Sequence, residues 1–189
     1  EYDIKLTFLG TGAPRPSPKR YGPSILLEAG ETKLLVDAGP GMRQRIFQAG
    51  GFELLTDIDT VLITHLHFDH VGGAVEWNDS RDGYRPAFKN ATFWSNKRHW
   101  KWATDPNARE KASFLSENIL PLEESGQLKF IDAEENASRI DTGLGFEAFV
   151  VNGHTDAQMC PIIQHKGETL VFMADLLPSV GHIPICLLY

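Results

Sequence analysis

Cysteine is nearly absent: Cys160 and Cys186 are the two thiols in 189 residues. Two cysteines build no disulfide framework, so the sequence demands no oxidising compartment. No apolar run reaches the ~18 residues of a membrane-spanning helix, and Glu1-Tyr2-Asp3 is not a leader segment. A cytoplasmic location is favoured, and an exported form whose leader has been removed stays open. Basic charge is also scarce, with 18 Lys and Arg against 25 Asp and Glu and a net charge of −7. There is no long basic run, which weighs against nucleic acid as a partner, although a bound metal would add positive charge that this sum omits. Internal repeats and proline- or serine-rich linkers are missing too, so residues 1–189 are expected to form a single domain. With 42% hydrophobic and 23% charged residues, a disordered or low-complexity chain is excluded.

What is present is an alternation of strand and helix patterns. Residues 4–9 alternate as a strand, and a Gly/Pro-rich loop follows over 10–18. Residues 24–28 and 32–37 predict a hairpin around Gly30, and 41–49 predict a helix stopped by Gly50-Gly51. Thr60-Val-Leu-Ile-Thr64 predicts a short buried strand. Residues 76–90 read as a polar loop insertion and 91–95 as a strand. Ser95 or Asn96 can cap a helix over 97–103, and Asp105-Pro106 predicts a second helix over about 106–118. Further strands fit 127–131, 146–151, 160–165 and 169–174. This order predicts a layered α/β domain with helices outside packed sheets.

The buried strand runs directly into His65-Leu66-His67-Phe68-Asp69-His70. Four ligand-type residues in six positions suit a divalent ion that takes imidazole nitrogen and carboxylate oxygen. In an extended segment His65 and His67 point the same way and can bind one ion. Asp69 and His70, past the strand end, can face a second.

His-x-His-x-Asp-His resembles the signature of the metallo-β-lactamase fold superfamily, and matching elements are spread along most of the chain. The resemblance implies an αββα sandwich of two packed mixed sheets flanked by helices, with metals at one edge of the sheets. Asp37 in Leu-Val-Asp-Ala-Gly looks like the family's Asp-x-Gly element, which supports the metal loop rather than binding metal. By the same resemblance His154, in Gly153-His154-Thr155, is the third histidine on the first metal, and Asp175 is the bridging aspartate. The implied ligands are therefore His65, His67, Asp69, His70, His154 and Asp175. The implied cofactor is zinc, two ions, or one if the second site is incomplete, with other divalent metals open. Relatives that bind two metals use a further late histidine, and relative to them this chain looks shortened by its last strand and helix. His182 reads as a pocket residue or a substitute ligand, and completion by a second copy in a homodimer stays open.

The resemblance implies a metallo-hydrolase in which a zinc-bound hydroxide attacks the substrate and Asp69 shuttles a proton to the leaving group. Residues 8–48 resemble the ribonuclease Z and arylsulfatase-like branch. Residues 65–73, 97–131 and 153–155 resemble acyl-homoserine lactone lactonases. The second set surrounds the pocket more closely, so the expected reaction is opening of a lactone or cleavage of an ester-like bond. Alternatives are an arylsulfatase or phosphotriesterase, a ribonuclease Z-like nuclease, or an inactive shortened domain acting through a partner. The expected substrate is a small molecule with an apolar acyl or aryl group, and no membrane is expected as a partner. Phe68, Trp77, Phe93, Trp94, Trp100 and Trp102 are either ordinary packing or an apolar wall for that group. Arg15, Lys19 and Arg20 read as solvated loop charges, Cys160 as a buried filler, and His99 and His165 as surface or core residues unpaired with the motif.

Overall fold

Alternating apolar residues near the start of the chain build an antiparallel unit. β1 (Ile4–Gly10) pairs with β2 (Ser24–Ala29), and β2 with β3 (Thr32–Val36). The turn between β2 and β3 passes through Gly30 at φ 61°, a conformation that glycine adopts without a steric penalty. The structure is a computed structural model and describes residues 3–12, 17, 19–133 and 138–183. The expected readings at Arg15 and Cys186 lie outside those residues.

After β3 the chain makes parallel crossovers. α1 (Met42–Asp57) leads to β4 (Thr60–Leu62), which pairs parallel to β3. α2 (Phe68–Val71) and a hairpin of β5 (Val75–Trp77) and β6 (Tyr84–Pro86) lead to β7 (Thr92–Asn96), parallel to β4. α3 (Lys97–Thr104), a 3-10 turn at Lys111–Ser113 and α4 (Ser116–Glu124) precede β8 (Leu128–Ile131), parallel to β7. The first sheet therefore has the order β1-β2-β3-β4-β7-β8. β9 (Arg139–Asp141), β10 (Glu147–Val151), β11 (Gln158–His165) and β12 (Glu168–Val171) form the second sheet, in the order β12-β11-β10-β9. Two 3-10 turns follow, at Ala174–Leu176 and Val180–His182.

Successive strand residues face opposite sides of a sheet, and the two cores follow from this. Leu26, Leu35, Val61 and Phe93 pack with Met42 and Ile46 of α1 on the helix side. Their neighbours Leu27, Leu34, Val36 and Leu62 pack against Ala148, Val150 and Met159 between the sheets. The layered α/β architecture and the stacked sheets match the expectation, with differences in detail. The first sheet is mixed, but the second pairs only antiparallel among the described residues. α1 and α3 pack on β1 and β7 of the first sheet. None of the described helices is long and apolar enough to cross a membrane.

Several boundaries differ for local reasons. α1 does not stop at Gly50-Gly51: Gly51 leaves helical geometry (φ 74°, ψ −164°), and a second helical stretch continues to Asp57. The expected polar loop over 76–90 contains the β5–β6 hairpin, with Trp77 stacked on Tyr84 at 4.3 Å between ring centroids. The helix expected over 106–118 is absent. Asn107 Oδ1 accepts from the Arg109 and Glu110 amides at 2.9 and 3.0 Å, giving the backbone a local alternative to the helix, and α4 begins only at Ser116. Asn96 is the cap of α3, its side chain accepting from the His99 amide.

Candidate metal centre

The His65–His70 segment leaves the end of β4, which lies between β3 and β7 in the first sheet, and turns into α2. Its backbone is tied back to β3. Asp37, at φ 59°, accepts from the Thr64 amide (2.7 Å) and the Thr64 hydroxyl (2.9 Å), and lies 2.7 Å from His70 Nδ1. The Ala38 amide donates to the His70 carbonyl, and the Gly73 amide to the Ala38 carbonyl. Gly39 permits this closeness, since a Cβ there would lie 2.5 Å from the Asp69 carbonyl oxygen. Asp37 thus supports the loop, as the resemblance implied.

Two groups of side chains converge, each with ligand atoms within 4.8 Å of one another: His65, His67 and His154; and His65, His70 and Asp175. His67 Nδ1 lies 3.1 Å from His154 Nε2. Asp175 spans the groups, with Oδ1 3.3 Å from His70 Nε2 and Oδ2 3.4 Å from His154 Nε2. It lies in a 3-10 turn after β12 rather than at a strand end. Asp69 is buried with Oδ2 3.8 Å from His70 Nε2, beside the second group rather than within it. His182 is in neither group; it is exposed, and its Nδ1 lies 2.9 Å from Ser179 Oγ.

The donor set fits a divalent ion. His65 is fully buried, its Nδ1 lies 3.1 Å from Thr64 Oγ1, and its Nε2 has no hydrogen-bond partner. Such a buried nitrogen is costly unless something coordinates it. Burial, reinforced by His70 and His67, holds the His65 imidazole well below its ordinary pKa, and burial with His154 takes His67 to about 3. Both are neutral near pH 7, the form that binds metal. Burial pulls His70 down, but Asp37 and Asp175 outweigh it and raise the ring to about 10. Burial raises the Asp69 carboxyl, and Asp175 is lowered because His70 more than offsets its burial.

The loop carrying His154 is held from α3. Arg98 forms a two-pronged ion pair with Asp156 at 2.8 and 2.5 Å, and Asn96 Nδ2 donates to the Ala157 carbonyl. His99, expected to be unpaired with the motif, is instead fully buried against it. Its Nε2 accepts from the Leu66 amide at 2.8 Å and its Nδ1 donates to the Asp156 carbonyl at 2.6 Å. These partners require the neutral Nδ1–H tautomer. Glu110 falls within the segment expected to be a helix over about 106–118, where nothing in its spacing marks it as a site residue. The carboxylate is buried, accepts from Trp102 Nε1 (2.9 Å) and Thr155 Oγ1 (2.8 Å), and has Oε2 3.9 Å from His67 Nε2. No spacing rule links it to the motif; only the turn at Asn107 brings it there.

The aromatic residues divide the same way. Phe93, Trp94, Trp100 and Trp102 belong to the two cores, and Trp77 is on the surface. A cleft of about 280 Å³ opens beside His70 and Asp175, with Phe8, Ile25, Phe172 and Leu177 among its walls. Lys19 and Arg20 are exposed, and Cys160 is buried with burial pushing its thiol up to about 11.

A family model described as anti-Pycsar protein Apyc1 matches residues 4–176, from β1 through Asp175. The chain belongs to this family. Among curated proteins similar to this Apyc1-family chain, ribonuclease Z of Mycobacterium avium is 49% identical over 69 residues, 36% of the chain and 24% of that protein. Ribonuclease Z of Methanopyrus kandleri is 44% identical over 71 residues, 38% of the chain and 25% of that protein. The chain thus spans about a quarter of the length of these relatives. Among solved structures, a probable metal-dependent hydrolase from Staphylococcus aureus aligns with a TM-score of 0.73 at 22% identity, over 95% of this chain and 76% of that one. AidC, a dizinc quorum-quenching lactonase, aligns with a TM-score of 0.64 at 20% identity, over 82% of this chain and 56% of that one. The Apyc1-family chain has the metallo-β-lactamase fold, and its structural neighbours are metal-dependent hydrolases.

Proposed function

We propose that this chain is a metal-dependent hydrolase of an ester-type bond in a small molecule, and that the bond is a phosphodiester. The observation that carries the reading is the pair of three-residue groups sharing His65 and spanned by Asp175. His65, His67 and His154 would hold one ion, and His70, Asp175 and Asp69 a second, with zinc first by donor type. When bound, such ions acidify water and polarise the substrate oxygen. The chain's own residues do the rest. Asp37 and Thr64 hold the His70 and His65 rings, Asp69, beside His70, would carry a proton to the leaving group, and the cleft at Phe8 and Phe172 would take the apolar part of the substrate.

Sequence identity with ribonuclease Z, which acts on RNA, favours a phosphodiester. The net charge of −7 favours a small diester over a long polyanion. The family description adds an anti-Pycsar role, which we extend to this chain as part of the proposal. A second reading, lactone opening, draws on the fold likeness to AidC and on the apolar cleft.

The test is metal content by elemental analysis, followed by turnover of bis(p-nitrophenyl) phosphate, an aryl sulfate and an N-acyl homoserine lactone. Zinc-dependent hydrolysis of the diester above both others is the expected result. Preferential lactone opening would replace the bond assignment and leave the hydrolase standing. No metal uptake and no turnover would overturn both readings and favour a domain that acts by binding.

A further inference from the structure

Residues 105–115 are used by neither the ligand set nor the fold's sheet pairing, yet they deliver a buried carboxylate to the metal centre. Each motif histidine has one ring nitrogen turned away from the others. His65 turns Nδ1 to Thr64 Oγ1, and His70 turns Nδ1 to Asp37. His67 is reversed. Its Nδ1 faces His154 Nε2 at 3.1 Å, while its Nε2 is buried, makes no hydrogen bond, and faces Glu110 Oε2 at 3.9 Å. Phe114, from the same segment, packs on the His67 ring at 4.7 Å between centroids. Glu110 Oε2 is itself held by Trp102 and by Thr155, the neighbour of His154. One carboxylate therefore touches both arms of the first histidine group.

We propose that Glu110 is a positioning residue: it orients the His67 ring with Nδ1 toward the metal and secures the His154–Thr155 turn. This rests on the metal-hydrolase reading above. A ring that ligates through one nitrogen is usually oriented by a hydrogen bond from the other, commonly to a carboxylate, and loss of such a partner costs about 10–100-fold in metal affinity. At 3.9 Å the contact is longer than a hydrogen bond, and it tightens when Nδ1 is engaged and Nε2 carries the proton.

The test compares the full chain with Glu110→Gln, whose amide oxygen can still accept from Trp102 and Thr155 but carries no charge. Zinc affinity is read by competition with a chromophoric chelator, and the cobalt absorption spectrum reports the geometry of the first group. The expected result is zinc binding weakened by about tenfold or more, with an altered cobalt band and an unchanged melting temperature of the metal-free protein. Equal zinc affinity within about twofold and an identical cobalt spectrum would overturn the proposal, while wild-type zinc binding would leave the hydrolase reading intact. Failure of the wild type to bind either ion would instead sink the hydrolase reading and this inference with it. Long-range 1H–15N spectra of the zinc-loaded wild type supply a measurement that needs no stable Glu110 variant. His67 is expected to show a protonated Nε2 and a metal-shifted Nδ1, and the opposite tautomer would overturn the proposal.

Discussion

His65 is the one residue common to both convergent groups, so its loss acts on both at once. His65→Ala is expected to cost the first ion and weaken the second, taking content from about two ions per chain to about one or less by elemental analysis, with turnover at background. Asp69 stands beside the second group, and Asp69→Asn separates its role from that of the histidines. It is expected to keep the ion of the first group and lose about 10²–10⁴-fold in kcat, the range of a positioned proton-transfer group. Steady-state kinetics beside metal analysis checks this, and unchanged kcat would remove Asp69 from the chemistry. His99 supports the motif without facing the metal. His99→Leu strands the Leu66 amide and the Asp156 carbonyl, at about 1–3 kcal/mol for each buried group left unpaired. Burial holds the His99 ring at about 4, below its ordinary 6.5, although the Asp156 carbonyl opposes the shift. A lowered pKa means the folded state binds fewer protons than the unfolded state between those values. The His99 contribution is therefore complete above pH 6.5 and is lost as pH falls toward 4. Urea melts of the metal-free protein across that window should show a shallower pH slope for His99→Gln than for the wild type.

At the scale of elements, the centre is a junction of four pieces. The end of β3 supplies Asp37, the turn after β4 supplies the histidine motif, the turn after β10 supplies His154, and the turn after β12 supplies Asp175. The first junction depends on backbone contact, which makes Gly39→Ala informative. The added Cβ would meet the Asp69 carbonyl oxygen at 2.5 Å, and overpacking of this kind costs about 1–3 kcal/mol. The expected outcome is a lower melting temperature together with weaker zinc binding, read by calorimetry and chelator competition. The elements also show where local sequence rules reach their limit. The cap at Asn96 and the strand before the motif follow from local propensity. The segment after Asp105-Pro106 carries equally good helix signals, but Asn107 captures its backbone, and the resulting turn buries Glu110 instead of a helix face.

For the whole molecule, the buried Nε2 atoms of His65, His67 and His70, which make no hydrogen bond, predict strong coupling between metal and stability. An ion that binds only the folded state adds about 4 kcal/mol at a thousandfold excess over its Kd, or roughly 10 °C in melting temperature for a chain of this size. Differential scanning calorimetry with zinc and with a chelator checks this; identical melting temperatures would mean that the groups do not bind the ion. The layered α/β class was legible in the chain, and the histidine motif, Asp37, His154 and Asp175 that the sequence singles out lie together in the structure. Ligand-type residues at short spacing after a buried strand carry their chemistry with them, and period-two and helical patterns are local. Sequence alone could not show that His99 and Glu110 lie under the site, or that most of the tryptophans serve the cores rather than a substrate wall. Those facts join residues dozens of positions apart, and only the packing of two sheets and the helices on the first brings them within bonding distance.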